Sequence, residues 1–174
     1  VQWNVSADNH DDGLDGVNSN AVFRGNTVVS NGDPAISDGD IGIYLLSVES
    51  RLISENIVAW NNEFGIWCDG QTDSADNLVF GHVSDFTSCG TNSSNVVADP
   101  LFVSFSDDGD PRNDDFHLQA GSPAADLLTD PPLDTDGSAR DLGAWGGQGY
   151  EGGPRPTWSA FGSVAPAELP LAAP

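Results

Sequence analysis

Four segments of this chain superimpose on an asparagine: Asn4-Val-Ser-Ala-Asp-Asn9, Asn26-Thr-Val-Val-Ser-Asn31, Asn56-Ile-Val-Ala-Trp-Asn61 and Asn77-Leu-Val-Phe-Gly-His82. A second asparagine closes three of them, and His82 closes the fourth. A Gly-apolar pair follows in three repeats, as Gly13-Leu14, Gly42-Ile43 and Gly65-Ile66. The lead asparagines are 22, 30 and 21 residues apart, and the longest step carries a turn-rich insert from Gly32 to Asp40. Within each repeat, short β-prone runs are broken by Gly, Asn and Asp, with no sustained helical period. A period near 20 residues with several short strands is what a parallel β-helix requires. Each repeat is one rung, and only stacking buries its apolar face. Equivalent residues then lie above one another at the inter-strand spacing of about 4.8 Å. Asparagines in such a column can bond to each other along the stack, which explains Asn4, Asn26, Asn56 and Asn77 as one ladder and Asn9, Asn31 and Asn61 as a second.

The cysteines obey the same spacing. Cys68 and Cys89 are 21 residues apart, as are Asn56 and Asn77, so they fall in one column on neighbouring rungs. That separation suits a disulfide. Two buried free thiols are the alternative. The bond implies an oxidising, extracellular or periplasmic setting.

These rungs resemble the right-handed parallel β-helix repeat family, with its Asn-x-apolar…Asn…Gly-Ile pattern. The resemblance implies an all-β solenoid over residues 1–98. From Asp99 the pattern changes to Asp99-Pro-Leu-Phe-Val103, Asp115-Phe-His-Leu-Gln119, Gly121-Ser-Pro-Ala-Ala-Asp126 and Asp136-Gly-Ser-Ala-Arg-Asp-Leu-Gly-Ala144. This order looks like the segment that ends many secreted β-helix proteins. Where the family commonly has glutamate after the closing aromatic, Trp145 precedes Gly146, which implies a different onward path. Residues 99–146 are expected to form a terminal rung and cap, with Phe102, Phe116, Leu118 and Trp145 over the last rung. Arg140 would pair with a carboxylate such as Asp126 or Asp141. An uncovered solenoid end exposes sheet edges and polymerises, which is why a cap is expected. Residues 147–174 read as an extended Gly/Pro/Ala-rich tail.

Charge narrows the partners. Five arginines and no lysine stand against 27 acidic residues, for a net charge of −22. Such a surface repels nucleic acid, whose binding rests on neutralised phosphates. No apolar run approaches the roughly 20 residues that span a bilayer. The chain lacks any methionine, and it reads as a processed product or a piece of something longer.

Candidate chemistry is sparse. Among the rungs only Arg24 and Arg51 are basic, and their 27-residue separation puts both on one side. They would serve a polysaccharide lyase as base, or pair with nearby acids. Asp8, Asp11, Asp12 and Asp15 could supply a hydrolytic carboxylate pair, although acidic turns are common in this chain. Gly81-His82-Val83 departs from the Gly-His-Gly that polygalacturonases resembling this fold carry. Asp134, Asp136 and Asp141 imitate part of a calcium loop, and Asp107, Asp108, Asp110, Asp114 and Asp115 form a second oxygen-rich patch, so Ca²⁺ is the candidate ligand. Of two glycosylation sequons, Asn92 sits in a polar loop, whereas Asn4 is committed to its ladder.

No residue is assigned as catalytic. The first expectation is a non-catalytic extracellular structural module, the subunit of a head-to-tail filament or surface assembly, with an open first rung and an adhesive tail. The alternative is a polysaccharide lyase, a glycoside hydrolase or a glycan-binding module whose active rungs lie upstream.

Overall fold

The computed structural model describes residues 1–17, 21–33, 35, 40–47, 49–130, 133–134 and 137–145. The tail expected at 147–174 and Asp136 lie outside the described residues. Thirteen short strands form three parallel sheets, and every rung visits the sheets in the same order. With strands numbered along the chain, sheet 1 holds β1 (Val5–Ala7), β4 (Thr27–Val29), β7 (Ile57–Ala59), β10 (Leu78–Phe80) and β13 (Val96–Val97). Sheet 2 holds β2 (Leu14–Val17), β5 (Ile41–Leu46), β8 (Phe64–Cys68) and β11 (Ser84–Thr87). Sheet 3 holds β3 (Phe23–Arg24), β6 (Arg51–Ser54), β9 (Thr72–Ala75) and β12 (Asn92–Ser93). The result is a parallel β-helix of four turns, with β13 opening a fifth. The described residues contain no helix long and apolar enough to cross a membrane.

The register is the one the asparagine alignment predicts. Val5, Thr27, Ile57 and Leu78 pair in sequence, and Val96 extends the column. Each ladder asparagine follows a residue with left-handed backbone. Trp3, Gly25, Glu55, Asp76 and Ser94 precede the first ladder, and Asp8, Ser30, Trp60 and Gly81 precede the second. These corners turn the chain from one sheet to the next, and the asparagine amides bond the backbone groups that the turns leave unpaired. Inside the solenoid, Val28, Val58 and Val79 from sheet 1 meet Ile43, Leu45 and Ile66 from sheet 2, and Phe23 and Ile53 from sheet 3. The recurrence of glycine in the three repeats has a steric cause. A Cβ on Gly42 would lie 2.5 Å from Val58 Cγ1 and 2.6 Å from Asn61 Nδ2, space that the ladder itself fills.

Cys68 and Cys89 are disulfide-bonded, with Cα atoms 4.6 Å apart. Their columns differ from the expected ones by one residue. Trp67 pairs with Thr87, so Ser88 stands opposite Cys68, and Ser88 turns through a left-handed conformation before Cys89. The turn between β10 and β11 is one residue shorter than the turn above it, which absorbs the difference. Removing the bond, by Cys89→Ser or by reductant, is expected to destabilise the fold by about 3 kcal/mol, given a loop of this length. Urea midpoints with and without reductant would measure the loss.

The C-terminal segment is placed differently from the expected cap. β14 (Phe102–Ser104) and β15 (Asp115–Leu118) form an antiparallel pair. Phe102, Phe116, Ala124, Leu128 and Leu142 pack on the outward side chains of sheet 1, including Val29, Ile57 and Leu78. Partly buried Val5 and Ala7 of the first rung and Val96 of the fifth join the same cluster, as do Leu118 and Trp145. The segment therefore lies along the flank of the stack instead of over its last rung. Sheet 1 offers a flat apolar face about five strands wide, and covering it removes more apolar surface from water than closing one rung would. Arg140 also finds another partner than Asp126 or Asp141. Its Nη1 donates to Glu55 Oε2 at 3.0 Å, in the corner between β6 and β7. Gly143 N donates to Glu55 O, and Ala144 N donates to Thr27 Oγ1. A Cβ on Gly143 would come within 2.7 Å of that hydroxyl, so only glycine allows the approach.

Candidate functional site

Three regions collect the residues that sequence reasoning singled out: the ladders and the face of the first rung, the outer face of sheet 3, and the acidic turns. In the first ladder, from Asn26 to Asn77, the backbone N and Nδ2 of each asparagine donate to Oδ1 of the asparagine on the next rung. Asn26 does so to Asn56, Asn56 to Asn77 and Asn77 to Asn95, at 2.8–3.0 Å. Asn4 N also donates to Asn26 Oδ1. The second ladder repeats the pattern from Asn9 to Asn31 and from Asn31 to Asn61. Asn95 is a ladder member that the sequence alignment missed, because the last step shortens to 18 residues.

His82 ends the second ladder. Asn61 Nδ2 can only donate, so His82 Nε2 accepts at 3.2 Å, and Nδ1–H donates to Asp85 Oδ1. The side chain is fully buried. Burial lowers its pKa below the usual histidine value, with Asp85 opposing. The neutral ring is thus the form that fits, with one nitrogen accepting as Asn Oδ1 does elsewhere.

The ladders run one way only. At the first rung, nothing among the described residues donates to Asn4 Oδ1 or Asn9 Oδ1; Asn4 Nδ2 bonds Gln2 O, and Asn9 Nδ2 is spent on Ser6 and Asn31. β1 and β2 form open sheet edges on this face, while Gln2 bridges Arg24 and adds one more layer to sheet 3. At the other end the edges are β11, β12 and β13.

On the outer face of sheet 3, Arg24, Arg51, Leu52, Ser54, Glu55 and Asp73 line a shallow cleft of about 650 Å³. The two arginines do share one side, as their spacing predicts. Each is held by an acid: Arg24 Nη2 donates to Glu55 Oε1 and Arg51 Nη2 to Glu49 Oε2, both at 2.6 Å. The Arg24 guanidinium also lies 5.9 Å from the Trp3 ring centroid. An arginine in an ion pair stays protonated, which suits it poorly to proton abstraction. Glu55 bonds Arg24 on one side and Arg140 on the other, and so joins this cleft to the flank layer. Burial pushes its carboxyl up, but the two guanidiniums outweigh that and hold it below the usual glutamate value.

The acidic turns are internally bonded. Asp108 accepts from Asp110 N and Asn113 Nδ2, Asp110 pairs with Arg112, Asp114 accepts from Ser106, and Asp115 contacts His117. Asp134 Oδ2 accepts from Asp141 N, and Asp141 Oδ1 accepts from Asp126 N. Among the described residues, no group of three or more His, Cys, Asp or Glu side chains is placed to hold a metal ion. Asn92 is exposed on β12.

Asp8 and Asp12 are both pushed up to about 6. For Asp8 the cause is burial first, then Asp114, Asp107, Asp108 and Asp110. For Asp12 it is burial, opposed by the hydrogen bond from Ile41 N, with Asp11, Asp15 and Asp40 adding repulsion. The folded state therefore keeps protons that the unfolded state releases above 3.8. The stabilisation from protonating these groups is present at low pH and lost as pH rises through about 6. Asp8→Asn should raise Tm by about 2–4 °C at pH 7.5, after allowance for solvent screening, and by less at pH 5. Paired melts at the two pH values check both the sign and the window.

No protein family, curated protein or solved structure was found to match this chain.

Proposed function

We propose that the chain is a non-catalytic structural module of an extracellular, stacked β-helix assembly. One observation carries this reading: buried asparagine ladders run along the stack, and the outer face of sheet 1 is sealed by the chain's own C-terminal layer, so the repeated residues serve rung-to-rung stacking. A flank sealed in this way favours stacking along the axis over contact through that side. The disulfide supports an oxidising compartment. Stacking is head to tail, because one-way ladders and parallel strands give the two ends unlike faces.

Negative-stain images of the native source material test this. Rods of one β-helix diameter, longer than the roughly 20–24 Å that these rungs span, are expected. Separate compact particles, together with cleavage of an added polysaccharide, would replace the structural reading with an enzymatic one.

Glycan binding is the second reading, and one feature favours it. Tyr44 and Trp67 sit on neighbouring rungs on the outer face of sheet 2, half-buried, with ring centroids 5.9 Å apart. Asp15 and Thr87 flank them in the same register. Retention on a polysaccharide column that is lost in Trp67→Ala would support this role.

A further inference from the structure

We infer that a calcium ion seats between Asp8, at the corner that follows β1, and Asp114, in the loop that joins β14 to β15, and clasps the flank layer to the solenoid. This goes beyond the structural reading above and does not depend on it. Three observations carry the inference.

The first is a buried oxygen without a partner. Asp114 is 7% exposed. Its Oδ1 accepts from Ser106 N at 2.8 Å and from Ser106 Oγ at 3.0 Å, whereas its Oδ2 is buried and has no hydrogen-bond partner among the described residues. A carboxylate at that depth is costly unless something pairs with it. A proton on Oδ2 would remove the charge but leave a donor without an acceptor. A cation supplies what is lacking.

The second is the arrangement of charge. Ala7 of β1 packs in one apolar cluster with Phe105 and Phe116, which brings the loop against the corner at Asp8. Of the charges that act on Asp8, that of Asp114 is the largest, followed by those of Asp107, Asp108 and Asp110. The described cations are engaged elsewhere. Arg112 gives its Nε and Nη2 to Asp110, Arg24 and Arg140 bond Glu55, and Arg51 bonds Glu49. The histidines lie beside Asp33, Asp85 and Asp115, and the chain has no lysine.

The third is donor chemistry. Asp108 already accepts from Asp110 N and Asn113 Nδ2, so the middle of the loop is satisfied without an ion. Around Asp114 stand Ser106 Oγ and Asn113 Oδ1, which bond each other at 3.2 Å. Carboxylate, hydroxyl and amide oxygens form a hard donor set. Calcium takes about six to eight oxygens in irregular geometry, whereas magnesium demands a near-ideal octahedron. Only two acidic side chains would bind, in keeping with the lack of any grouping of three among the described residues. Backbone carbonyls and water would complete the shell. The oxygen-rich run from Asp107 to Asp115 thus contributes one carboxylate, and its counterpart comes from the first rung.

Removal and return of the ion test this on the full chain. After treatment with EDTA at pH 7.5, millimolar calcium chloride is expected to raise Tm by about 5–10 °C, the shift that a ligand at roughly a hundredfold excess over its Kd gives a chain of this size. Magnesium chloride at the same concentration should give less than half of that, and sodium chloride of equal ionic strength less still. The sign of one substitution is the sharper readout. In EDTA, Asp8→Asn should melt higher than the wild type, because repulsion from Asp114 and the loop is relieved. In calcium it should melt lower, because the ion has lost a ligand. Asp11→Asn, which removes an exposed acid outside the site, should keep the full calcium gain. Calorimetric titration should likewise lose one site in Asp8→Asn. A gain that sodium chloride reproduces, or one that survives Asp8→Asn, overturns the site. An equal gain from magnesium overturns the choice of calcium.

Discussion

Asn56→Ala should lower the stability of the solenoid by about 3–5 kcal/mol, since it strands several buried polar groups at once. The side chain is fully buried. Its Oδ1 accepts from Asn26 N and Nδ2, and its Nδ2 donates to Asn77 Oδ1, Phe23 O and Ser54 O. Alanine leaves Asn26 without its acceptors and the carbonyls without a donor, at a depth water does not reach. Asn56→Asp should be no remedy. It keeps an acceptor for Asn26, but sets a second oxygen against Asn77 Oδ1 and buries a charge. Asn95→Ala, at a half-buried position in the last described rung, should cost nearer 1 kcal/mol. Urea unfolding followed by circular dichroism would rank the three. Equal losses at Asn56 and Asn95 would mean that the ladder contributes through local turns and not through its buried continuity.

The second large effect is expected at Glu55. Glu55→Gln removes the charge that holds both Arg24 and Arg140, leaving Arg140 buried and uncompensated. The expected loss is about 3 kcal/mol, near the low end for breaking a buried pair. The damage should be directional. Hydrogen exchange at Gly143 and Ala144, which donate to Glu55 O and Thr27 Oγ1, should quicken, and so should that of the adjoining Leu142, which donates to Ala124 O, while the interior around Ile43 and Val58 keeps its protection. Glu49→Gln, which breaks only the exposed ion pair with Arg51, should cost less than about 1 kcal/mol. The wild-type protein should show the same weakness in acid. Because Glu55 titrates below the usual glutamate value of 4.5, its contribution is complete above that pH and is lost as pH falls through the folded-state value. Exchange of the three amides should therefore accelerate in acid beyond its intrinsic pH dependence.

These two sites also show what the sequence makes legible. Asn56 is visible because stacking repeats the same demand at the same place on every rung, so a column of identical residues appears at rung spacing. The glycine column is visible for the same reason. Asn95 escapes because the fourth rung is shorter and has Asp85-Phe86 where its neighbours have Gly-Ile. The left-handed corners escape too. Trp3, Gly25, Glu55, Asp76 and Ser94 share a backbone conformation but no residue type. Glu55 looks like any other acid in so acidic a chain. Its importance comes from Arg140, 85 residues away, and no local pattern links them. In sequence the flank layer looks like an end cap, because both roles need the same apolar residues. Only the outward side chains of sheet 1 distinguish them. Thr27, Val29, Ile57 and Leu78 are all buried despite facing away from the solenoid interior.

That sealed sheet face has a consequence for how the molecule comes to be folded. Ala144 reaches back 117 residues to Thr27, and Arg140 reaches 85 residues to Glu55. The surface these residues bind exists only after several rungs have stacked. Rung-to-rung pairing closes loops of about 20 residues, whereas docking the C-terminal layer closes loops several times longer and depends on a finished template. Folding should thus proceed in two stages: a solenoid that assembles rung by rung with one apolar face still wet, and then a late closure. A chain emerging from its N-terminal end would hold that wet face bare until the last part of the sequence is made. During this interval it is open to chaperones, or to premature association, through a surface that the mature protein never shows.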